Sequence, residues 1–235
     1  MQSKSEVFER ILRNRAYCVR TKAVIGDTEY TEGDGLVFAS VSGGVFAQNG
    51  PSVGGCVSRE VSAIIMPTAE PPRMAKIRLF CRVELGSEVS EWLPKGVFYI
   101  DTRTRDEATG LLTIHGYDRM IFANGEYIPD EDVGEWPRSA DSVVEDIADL
   151  LGLELDERTA IDPNVMVPYP NDYTMREVLG HIAAAHAGNW TVTDAGKLRL
   201  VPMWSIPDYV RPVSPGYLVD QSGAAITFGG VRILV

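Results

Sequence analysis

The pattern of hydrophobic and polar positions has a period of two along much of the first half of the chain. It is clearest from Met74 to Leu85, where every second residue is apolar and the residues between them are, apart from Phe80, polar or charged. Weaker stripes occur at 57–65, 96–105 and 111–119, separated by turn-rich segments. Such alternation indicates half-buried antiparallel strands. A meander of these strands is typical of a β-barrel or a β-sandwich.

The segments before this meander are shorter. Residues 5–14 carry apolar side chains at the spacing of an amphipathic helix. Residues 17–30 read as two strands joined by a Gly26-Asp27 turn, and the glycine-rich stretch 33–56 as short strands and loops.

The period changes to that of helices after about Asn124. A first helix begins after Ser139, a natural N-cap, and ends at Gly152. A second begins at the capping box Thr174-x-x-Glu177, and Gly188 is predicted to be its C′ glycine.

The alternation returns in the last part of the chain. Residues 189–202 predict a hairpin with Trp190 and Val192 opposite Leu198 and Leu200. Residues 225–235, AITFGGVRILV, predict a last strand that has no cap or polar tail. We therefore expect that strand to continue into a second barrel or to pair with another subunit.

Together these segments predict three parts of an α+β, β-rich chain. Residues 1–123 form the first part of a barrel, and residues 124–204 form a small α/β domain of two helices and a hairpin. Residues 205–235 supply return strands to that barrel and the first strand of a truncated second one.

The composition and charge bear on whether the chain binds nucleic acid or a membrane. The chain has 235 residues, 45% of them hydrophobic, and a formal net charge of −11. That charge disfavours tight binding of nucleic acid, although an acidic surface suits a protein that encloses passing DNA without gripping it. The chain lacks both a secretory signal and an apolar run long enough for a membrane anchor.

The cysteines do not indicate a disulfide framework or a zinc site. Cys18, Cys56 and Cys81 lie far apart, with no C-x-x-C pair, and are expected to be small buried hydrophobic residues. A nucleophilic pair of Cys56 or Cys81 with His115 can be drawn, but Cys81 falls on the apolar stripe, and buried structural cysteines are inert.

Histidines and carboxylates offer no stronger site. His181 and His186 are five residues apart on a helix, so they do not share a face, and no H-E-x-x-H motif is present. Asp101 and Asp118 are each predicted to end a strand near His115, where aspartate is common for turn reasons alone. We predict no catalytic residue, no metal site, no cofactor and no enzymatic activity.

Arg78 to Arg82 alternate basic and aromatic residues on the polar face of the best-defined strand. With a charge of −11 this face is expected to be solvated and not to bind nucleic acid. In a barrel that joins its copies into a ring, the same face would be a subunit contact.

Several segments resemble the N-terminal half of prophage tail proteins from Gram-positive bacteria, relatives of the baseplate hub proteins of contractile tails and of type VI secretion spikes. They are VSREVSAIIMP (57–67), EPPRMAKIRLFCRVE (70–84), SEWLPKGVFYIDTR (90–103), LLTIHGYDRM (111–120) and NDYTMREVLGHIAAAHAGNWTVTDAGKLRLVP (171–202). The resemblance implies a β-barrel interrupted by a small α/β domain. It also implies a virion tail component that is assembled in the bacterial host cytoplasm.

The resemblance further implies an architectural role. Similar hubs form trimers with two barrels per chain, and their ring connects the tail tube to the spike or to receptor-binding parts. The expected partners are other copies of the chain and the tube, tape-measure and spike proteins, with DNA passing through unbound. Two alternatives are a tail-associated cell-wall hydrolase or peptidase and a host-surface binding module.

Overall fold

The computed structural model describes residues 4–14, 16–46, 50–129, 135–203, 227–228 and 231–232. The chain divides into two compact units, residues 1–203 and 204–235.

The helices are α1 (Glu6–Leu12), α2 (Ala140–Leu151), α3 (Met175–Ala185) and a 3₁₀-helix (Arg119–Asn124). The strands are β1 (Cys18–Ile25), β2 (Thr28–Glu32), β3 (Gly35–Ser42), β4 (Cys56–Val57), β5 (Glu60–Ile65), β6 (Lys76–Leu85), β7 (Glu88–Val89), β8 (Leu93–Arg105), β9 (Leu112–Asp118), β10 (Arg138–Ser139), β11 (Met166–Val167), β12 (Gly188–Val192), β13 (Leu198–Pro202), β14 (Thr227–Phe228) and β15 (Val231–Arg232). This is the predicted α+β, β-rich class.

Seven of these strands form a closed barrel in the order β1-β2-β3-β5-β9-β8-β6, with β7 as an added strand on β6. Closure comes from β1 and β6, which pair antiparallel from Cys18 with Glu84 to Ile25 with Ile77. Seven strands cannot alternate in direction all the way around a ring, and β2 with β3 is the parallel pair. The predicted meander is therefore a barrel and not a sandwich.

The barrel interior is filled by the apolar residues of the period-two stripes. On β6, Ile77, Leu79 and Val83 are buried while Lys76 and Arg78 are exposed, as the alternation predicts. The core of the barrel consists of Ala23, Ile25, Tyr30, Leu36, Val61, Ile65, Ile77, Leu79, Phe98, Ile100, Leu112 and Ile114.

The predicted N-terminal helix is present as α1. The hydroxyl of Ser5 accepts the backbone N–H of Phe8, which caps the first turn. Phe8 and Ile11 then pack with Val83 and Leu93 in a small cluster of their own on the barrel.

A second core lies beside the barrel and includes residues of α2, α3, the hairpin β12–β13 and the 3₁₀-helix. Trp190 is fully buried in it, and its indole N–H donates to the carbonyl oxygen of Leu179 over 2.8 Å. The hairpin register pairs Trp190 with Leu200 and Val192 with Leu198, as predicted.

Two local expectations about this second core are wrong. Helix α3 ends at Ala185, and Ala187, not Gly188, takes the positive φ that ends it. Gly188 instead begins β12, where a Cβ atom would stand 2.9 Å from the carbonyl oxygen of Val201. In addition, residues 56–57, expected to belong with the first barrel strands, form β4 and pair parallel with β12.

The final segment differs from the continuous strand expected at 225–235. Thr227–Phe228 and Val231–Arg232 pair antiparallel with each other as a separate two-stranded sheet. The seven strands that close the barrel all lie between Cys18 and Asp118. The predicted return strands in 205–235 otherwise fall outside the described residues. Within the described part of the chain, no helix has the length and apolar character needed to cross a membrane.

Candidate functional site

The strongest concentration of buried polar contacts lies where the barrel meets the second core, and it centres on Arg59. This residue directly precedes β5, and its side chain is 14% exposed. Its guanidinium donates to the carbonyl oxygens of Lys95 (3.0 Å) and Val192 (3.4 Å) and forms a 2.7 Å ion pair with Asp194. One arginine thus connects the start of β5, the β8 strand and the β12–β13 hairpin.

Asp118, the last residue of β9, belongs to the same junction. Its carboxylate accepts the backbone N–H of Arg59 (2.9 Å) and that of Met120 (3.0 Å), so it also caps the 3₁₀-helix. The side chain is buried, and the loss of solvent raises its pKa to about 6, against the opposing effect of these N–H donors and of Arg59 and Arg176.

Two further arginines fasten the helices to the barrel side. Arg176, in the first turn of α3, donates to the carbonyl oxygens of Cys56 and Met120, to Ser58 Oγ and to Asn124 Oδ1. Arg119 donates to the carbonyl oxygen of Leu151 and to the Tyr99 hydroxyl, and it lies 4.8 Å from the Phe122 ring centre. All three arginines therefore bind main-chain carbonyl oxygens at the ends of elements.

A buried amide completes the junction. Asn189 accepts the Gly55 N–H at 2.7 Å and donates to the Ser52 carbonyl oxygen at 2.6 Å, which holds the loop before β4 against β12. Gly54 and Gly180 allow this approach, because a Cβ on Gly180 would stand 2.9 Å from the Gly54 carbonyl oxygen. These contacts connect the loop before β4 to β12 and to α3 through main-chain groups.

A cleft of about 590 Å³ opens beside this junction. The outer face of β12 and β13 forms one wall, and the glycines at 43–44 and Arg59 form another. Its charged lining consists of Arg59, Asp156, Glu157, Arg158, Asp194, Lys197 and Arg199.

The predicted His115 constellation comes together only in part: His115 and Asp101 line one small pocket of about 200 Å³, and Asp118 is not among its lining residues. His115 is exposed on β9, while Asp118, three residues along the same strand, is buried on the opposite face. Asp101 does not end a strand: it lies within β8, at a bulge, and pairs with Arg73 at 3.5 Å. Among the described residues, neither carboxylate is hydrogen-bonded to His115.

The cysteines also stay apart from His115. The Cys56 thiol donates to the Arg176 carbonyl oxygen at 3.4 Å, and burial raises its pKa to about 12. Burial likewise raises the pKa of Cys81, which packs against the α1 cluster. Cys18 is exposed, contrary to the expectation that all three are buried, because it lies at the start of β1.

The two helical histidines have separate surroundings. His181 is exposed and stacks edge-on against Tyr173. His186 caps the end of α3, where Nδ1 lies 2.8 Å from the Ile182 carbonyl oxygen and Nε2 accepts the backbone N–H of Asp162. Within the described ranges, no group of three or more His, Cys, Asp or Glu residues is placed to hold a metal ion.

Part of the outer face of β6, around Phe80 and Arg82, is covered by neighbouring side chains, while Lys76 and Arg78 on the same face are exposed. Arg82 pairs with Glu84 at 2.7 Å and lies 4.5 Å from the Trp92 ring centre. Lys22 lies over both Trp92 (4.9 Å) and Phe80 (5.4 Å). The aromatic and basic residues of this face therefore bind one another.

Exposed apolar residues lie together at two places: Met166, Tyr169 and Tyr173 line one pocket, and another group lies at β3. Val37 is 59% exposed and Phe38 48%, because a register shift between Leu36 and Phe38 turns two consecutive side chains outward. Met66 is also exposed, and its N–H donates to the Gly35 carbonyl oxygen at 2.7 Å. We call Val37, Phe38 and Met66 the β3 patch.

Apart from Asp118, which ends β9 as predicted, the sequence did not single out the junction residues. Arg59, Arg176 and Asn189 follow no periodic pattern, and their contacts span more than a hundred positions, as between Arg59 and Val192. The only local signal was the capping box that begins α3, which fixes the position of Arg176 in its first turn.

Comparisons with known proteins give one fold relationship. No protein-family model matches the chain, and no curated protein sequence does. The structure resembles the 43 kDa tail protein of prophage MuSo2 from Shewanella oneidensis, at 12% identity and a TM-score of 0.51, over 80% of this chain and 56% of that one.

Two other solved structures are similar at lower scores. The tail protein from Neisseria meningitidis MC58 has 13% identity and a TM-score of 0.47, over 81% of this chain and 56% of that one. Prophage tail protein gp18 from Listeria monocytogenes EGD-e has 11% identity and a TM-score of 0.44, over 78% and 50%. The chain spans about half the length of each of these structures.

Proposed function

We propose that the chain is a structural component of a phage or prophage tail, part of the baseplate hub or tail-tip ring that joins the tail tube to the spike or receptor-binding parts. The observation that carries the proposal is the fold shared with the MuSo2 tail protein over 80% of this chain. The chain would act in the virion tail after assembly in the bacterial host.

The junction between the barrel and the second core supports a mechanical role. Three arginines donate hydrogen bonds to main-chain carbonyl oxygens and so connect the elements to one another: Arg59, Arg119 and Arg176. A guanidinium can donate to several acceptors at once, so one side chain can connect several secondary-structure elements. A ring subunit that transmits force needs such a rigid connection more than it needs a reactive group.

The surface supports assembly with protein partners. The barrel closes through β1 and β6, and β2 pairs with β3 at only two positions, Thr31 with Gly35 and Glu32 with Leu36. The β3 patch beyond that short pairing is an exposed apolar surface suited to contact between copies. We expect the complete ring to be a trimer that contacts tube, tape-measure and spike proteins. The charge of −11 suits a wall past which DNA slides.

Deletion of the coding sequence from the prophage that carries it tests the proposal. We expect particles without baseplates, or free tubes and heads, in electron micrographs, and antibody labelling at the tail tip in the complemented strain. Normal, infectious tails from the deletion strain, or labelling only outside the particle, would overturn the proposal.

A second arm addresses the enzymatic alternative. Complementation with His115→Ala or Cys81→Ala should restore tails fully, since neither side chain belongs to a reactive cluster. Clearing of cell walls in a zymogram that is lost in the Cys81→Ala variant would replace the structural proposal with the hydrolase.

A further inference from the structure

A pocket of about 320 Å³ is lined by α3 and by the segment 165–173, which leads into that helix. Its lining includes the buried side chains of Val178 and Ile182, which belong to the second core. Two exposed aromatic residues also line it, Tyr169 (53% exposed) and Tyr173 (47%). We call this site the tyrosine pocket.

The two tyrosine rings are held in place by aromatic neighbours. The ring of Tyr169 meets Trp136 edge-on, with ring centres 5.5 Å apart, and Trp136 packs against the second core. The ring of Tyr173 meets His181 edge-on at 5.3 Å. Edge-on pairs of this kind are favourable. The rings are therefore positioned before a ligand arrives, which lowers the entropic cost of binding.

The polar atoms of these rings are free to bind a ligand. Among the described residues, neither tyrosine hydroxyl and neither ring nitrogen of His181 has a hydrogen-bond partner in the protein. A hydroxyl and an imidazole N–H can each donate a hydrogen bond. The described lining contains no Asp, Glu, Lys or Arg, although 23% of the chain is charged. The tyrosine pocket thus combines an apolar surface with uncharged donors.

The main chain beside the pocket is poorly suited to adding a partner strand. Pro168 and Pro170 have no N–H to donate. The carbonyl oxygen of Val165 already accepts the N–H of Ala140 at 2.8 Å. That of Pro170 accepts the N–H of Tyr173 at 3.1 Å. A partner bound here is therefore held mainly by side chains.

We propose that the tyrosine pocket binds a proline-rich segment of a partner protein in the polyproline II conformation. This conformation has no internal hydrogen bonds, so its carbonyl oxygens require outside donors, which Tyr169, Tyr173 and His181 can supply. Proline itself carries no N–H and no charge, so the partner needs no carboxylate from the pocket. Aromatic-lined grooves are the usual receptors for such segments, whose three-residue turn places prolines at i and i+3 on one face.

The lining is unfavourable for the other common classes of ligand. A saccharide presents many hydroxyl groups, whereas the described lining has no Asn, Gln, Asp, Glu or Arg side chain to pair with them. A nucleic acid or an anionic lipid headgroup requires Lys or Arg, which the described lining also lacks. The site goes beyond the proposed tail role, and its test does not depend on tail assembly.

The test is a nuclear magnetic resonance titration of the full, ¹⁵N-labelled chain, with the backbone amide signals of residues 165–182 as the readout. The probe is an acetylated, amidated peptide of three Ala-Pro-Pro repeats, and the matched peptide carries glycine in place of each proline. We expect saturable shifts in this range with the proline peptide and none with the glycine peptide.

Variants separate the aromatic rings from their hydroxyl groups. Tyr169→Ala and Tyr173→Ala should each weaken binding at least about tenfold, because each removes an aromatic anchor. Tyr169→Phe keeps the ring and should weaken binding only about two- to fivefold, the effect of one lost hydrogen bond. Tyr17→Ala is the matched control, since Tyr17 is an exposed tyrosine (36%) that directly precedes β1. It should bind like the parent, and all variants should match the parent in circular dichroism.

Four outcomes would overturn the proposal. The first is the absence of saturable shifts within 165–182 with the proline peptide, and the second is equally tight binding of the glycine peptide. The third is a loss of affinity in Tyr17→Ala as large as that in Tyr169→Ala. The fourth is binding of chitotriose at the same signals while the proline peptide remains silent, which would assign the pocket to a saccharide.

Discussion

At the scale of single residues, the junction depends on donors that serve several acceptors at once. Arg59, Arg119 and Arg176 each bind one main-chain carbonyl oxygen at the end of a strand or helix, those of Val192, Leu151 and Cys56 respectively. Asp118 is an acceptor in the same junction: its carboxylate accepts hydrogen bonds from two backbone N–H groups.

Asp118 gives a prediction about pH. Its folded pKa of about 6 lies above the ordinary aspartate pKa of 3.8, so the folded state holds this proton more tightly than the unfolded chain does. The stability it contributes is therefore fully present below pH 3.8 and is lost as the pH rises to about 6. A difference of about two pH units corresponds to about 3 kcal/mol.

Asp118→Asn removes this titration and keeps one acceptor oxygen. Denaturant unfolding of both proteins at several pH values should show the parent losing stability relative to the variant as the pH rises from about 4 to about 6. The subtraction cancels the other carboxylates, such as Asp156, whose lowered pKa acts in the opposite sense. A constant difference between the two proteins across that window would contradict the prediction.

Gly116 gives a second prediction at this scale. It lies on β9 inside the barrel sheet, and a Cβ atom there would collide with the backbone carbonyl of Tyr99. Because backbone must shift to make room, Gly116→Ala should lower the free energy of unfolding by about 1–3 kcal/mol. Gly44→Ala is the matched control, since a Cβ at Gly44 meets nothing within 4 Å. Equal midpoints in denaturant for the two variants would refute the steric explanation.

At the scale of elements, the sequence predicted the features that are determined by residues close together along the chain. The alternation on β6, the Gly26-Asp27 turn, the capping box and the β12–β13 register are all local patterns, and the structure has them. Gly188 was misassigned because a glycine after a helix also suits a strand that approaches another backbone closely. The pairing of β4 with β12 has no local pattern at all, because its partners lie more than 130 residues apart.

The two helix N-termini yield a prediction with an internal control. The Thr174 hydroxyl accepts the Glu177 N–H in a complete capping box, whereas the Ser139 side chain makes no cap hydrogen bond to α2. Thr174→Ala should therefore cost about 1 kcal/mol of stability, as N-cap removal commonly does. Ser139→Ala should cost clearly less, although both residues are predicted N-caps. Thermal unfolding of the two variants would show it, and a larger loss for Ser139→Ala would contradict the geometry.

At the scale of the whole molecule, closure of the barrel decides which surfaces remain for partners. Pairing of β1 with β6 uses the strand edges that an open meander would expose. The sequence predicted the strands but left barrel and sandwich open, because closure depends on pairing between residues that are distant in sequence, from Ile25 with Ile77 to Cys18 with Glu84. The junction was unpredictable for the same reason, since Arg59 meets Val192 and Asp194 only after both parts have folded.

The last prediction concerns self-association, which the proposed ring requires. Because Val37 and Phe38 are exposed on a strand that pairs with β2 at only two positions, the β3 patch is the surface that we expect copies to share. Phe38→Glu places a charge in this patch and should abolish any concentration-dependent association, because a buried unpaired carboxylate at an interface is strongly unfavourable. It should cost little stability, since Phe38 is already half exposed.

Leu150→Glu is the matched control, because Leu150 is an exposed leucine (56%) on α2, away from the barrel. Sedimentation velocity over a wide concentration range should show weak association for the parent and for Leu150→Glu, and monomer alone for Phe38→Glu. If Leu150→Glu abolishes association and Phe38→Glu does not, copies meet through the helical side of the molecule, and a ring built on β3 is wrong. If the parent stays monomeric throughout, this chain does not form the ring contact by itself, which would count against its assignment as a self-assembling hub subunit.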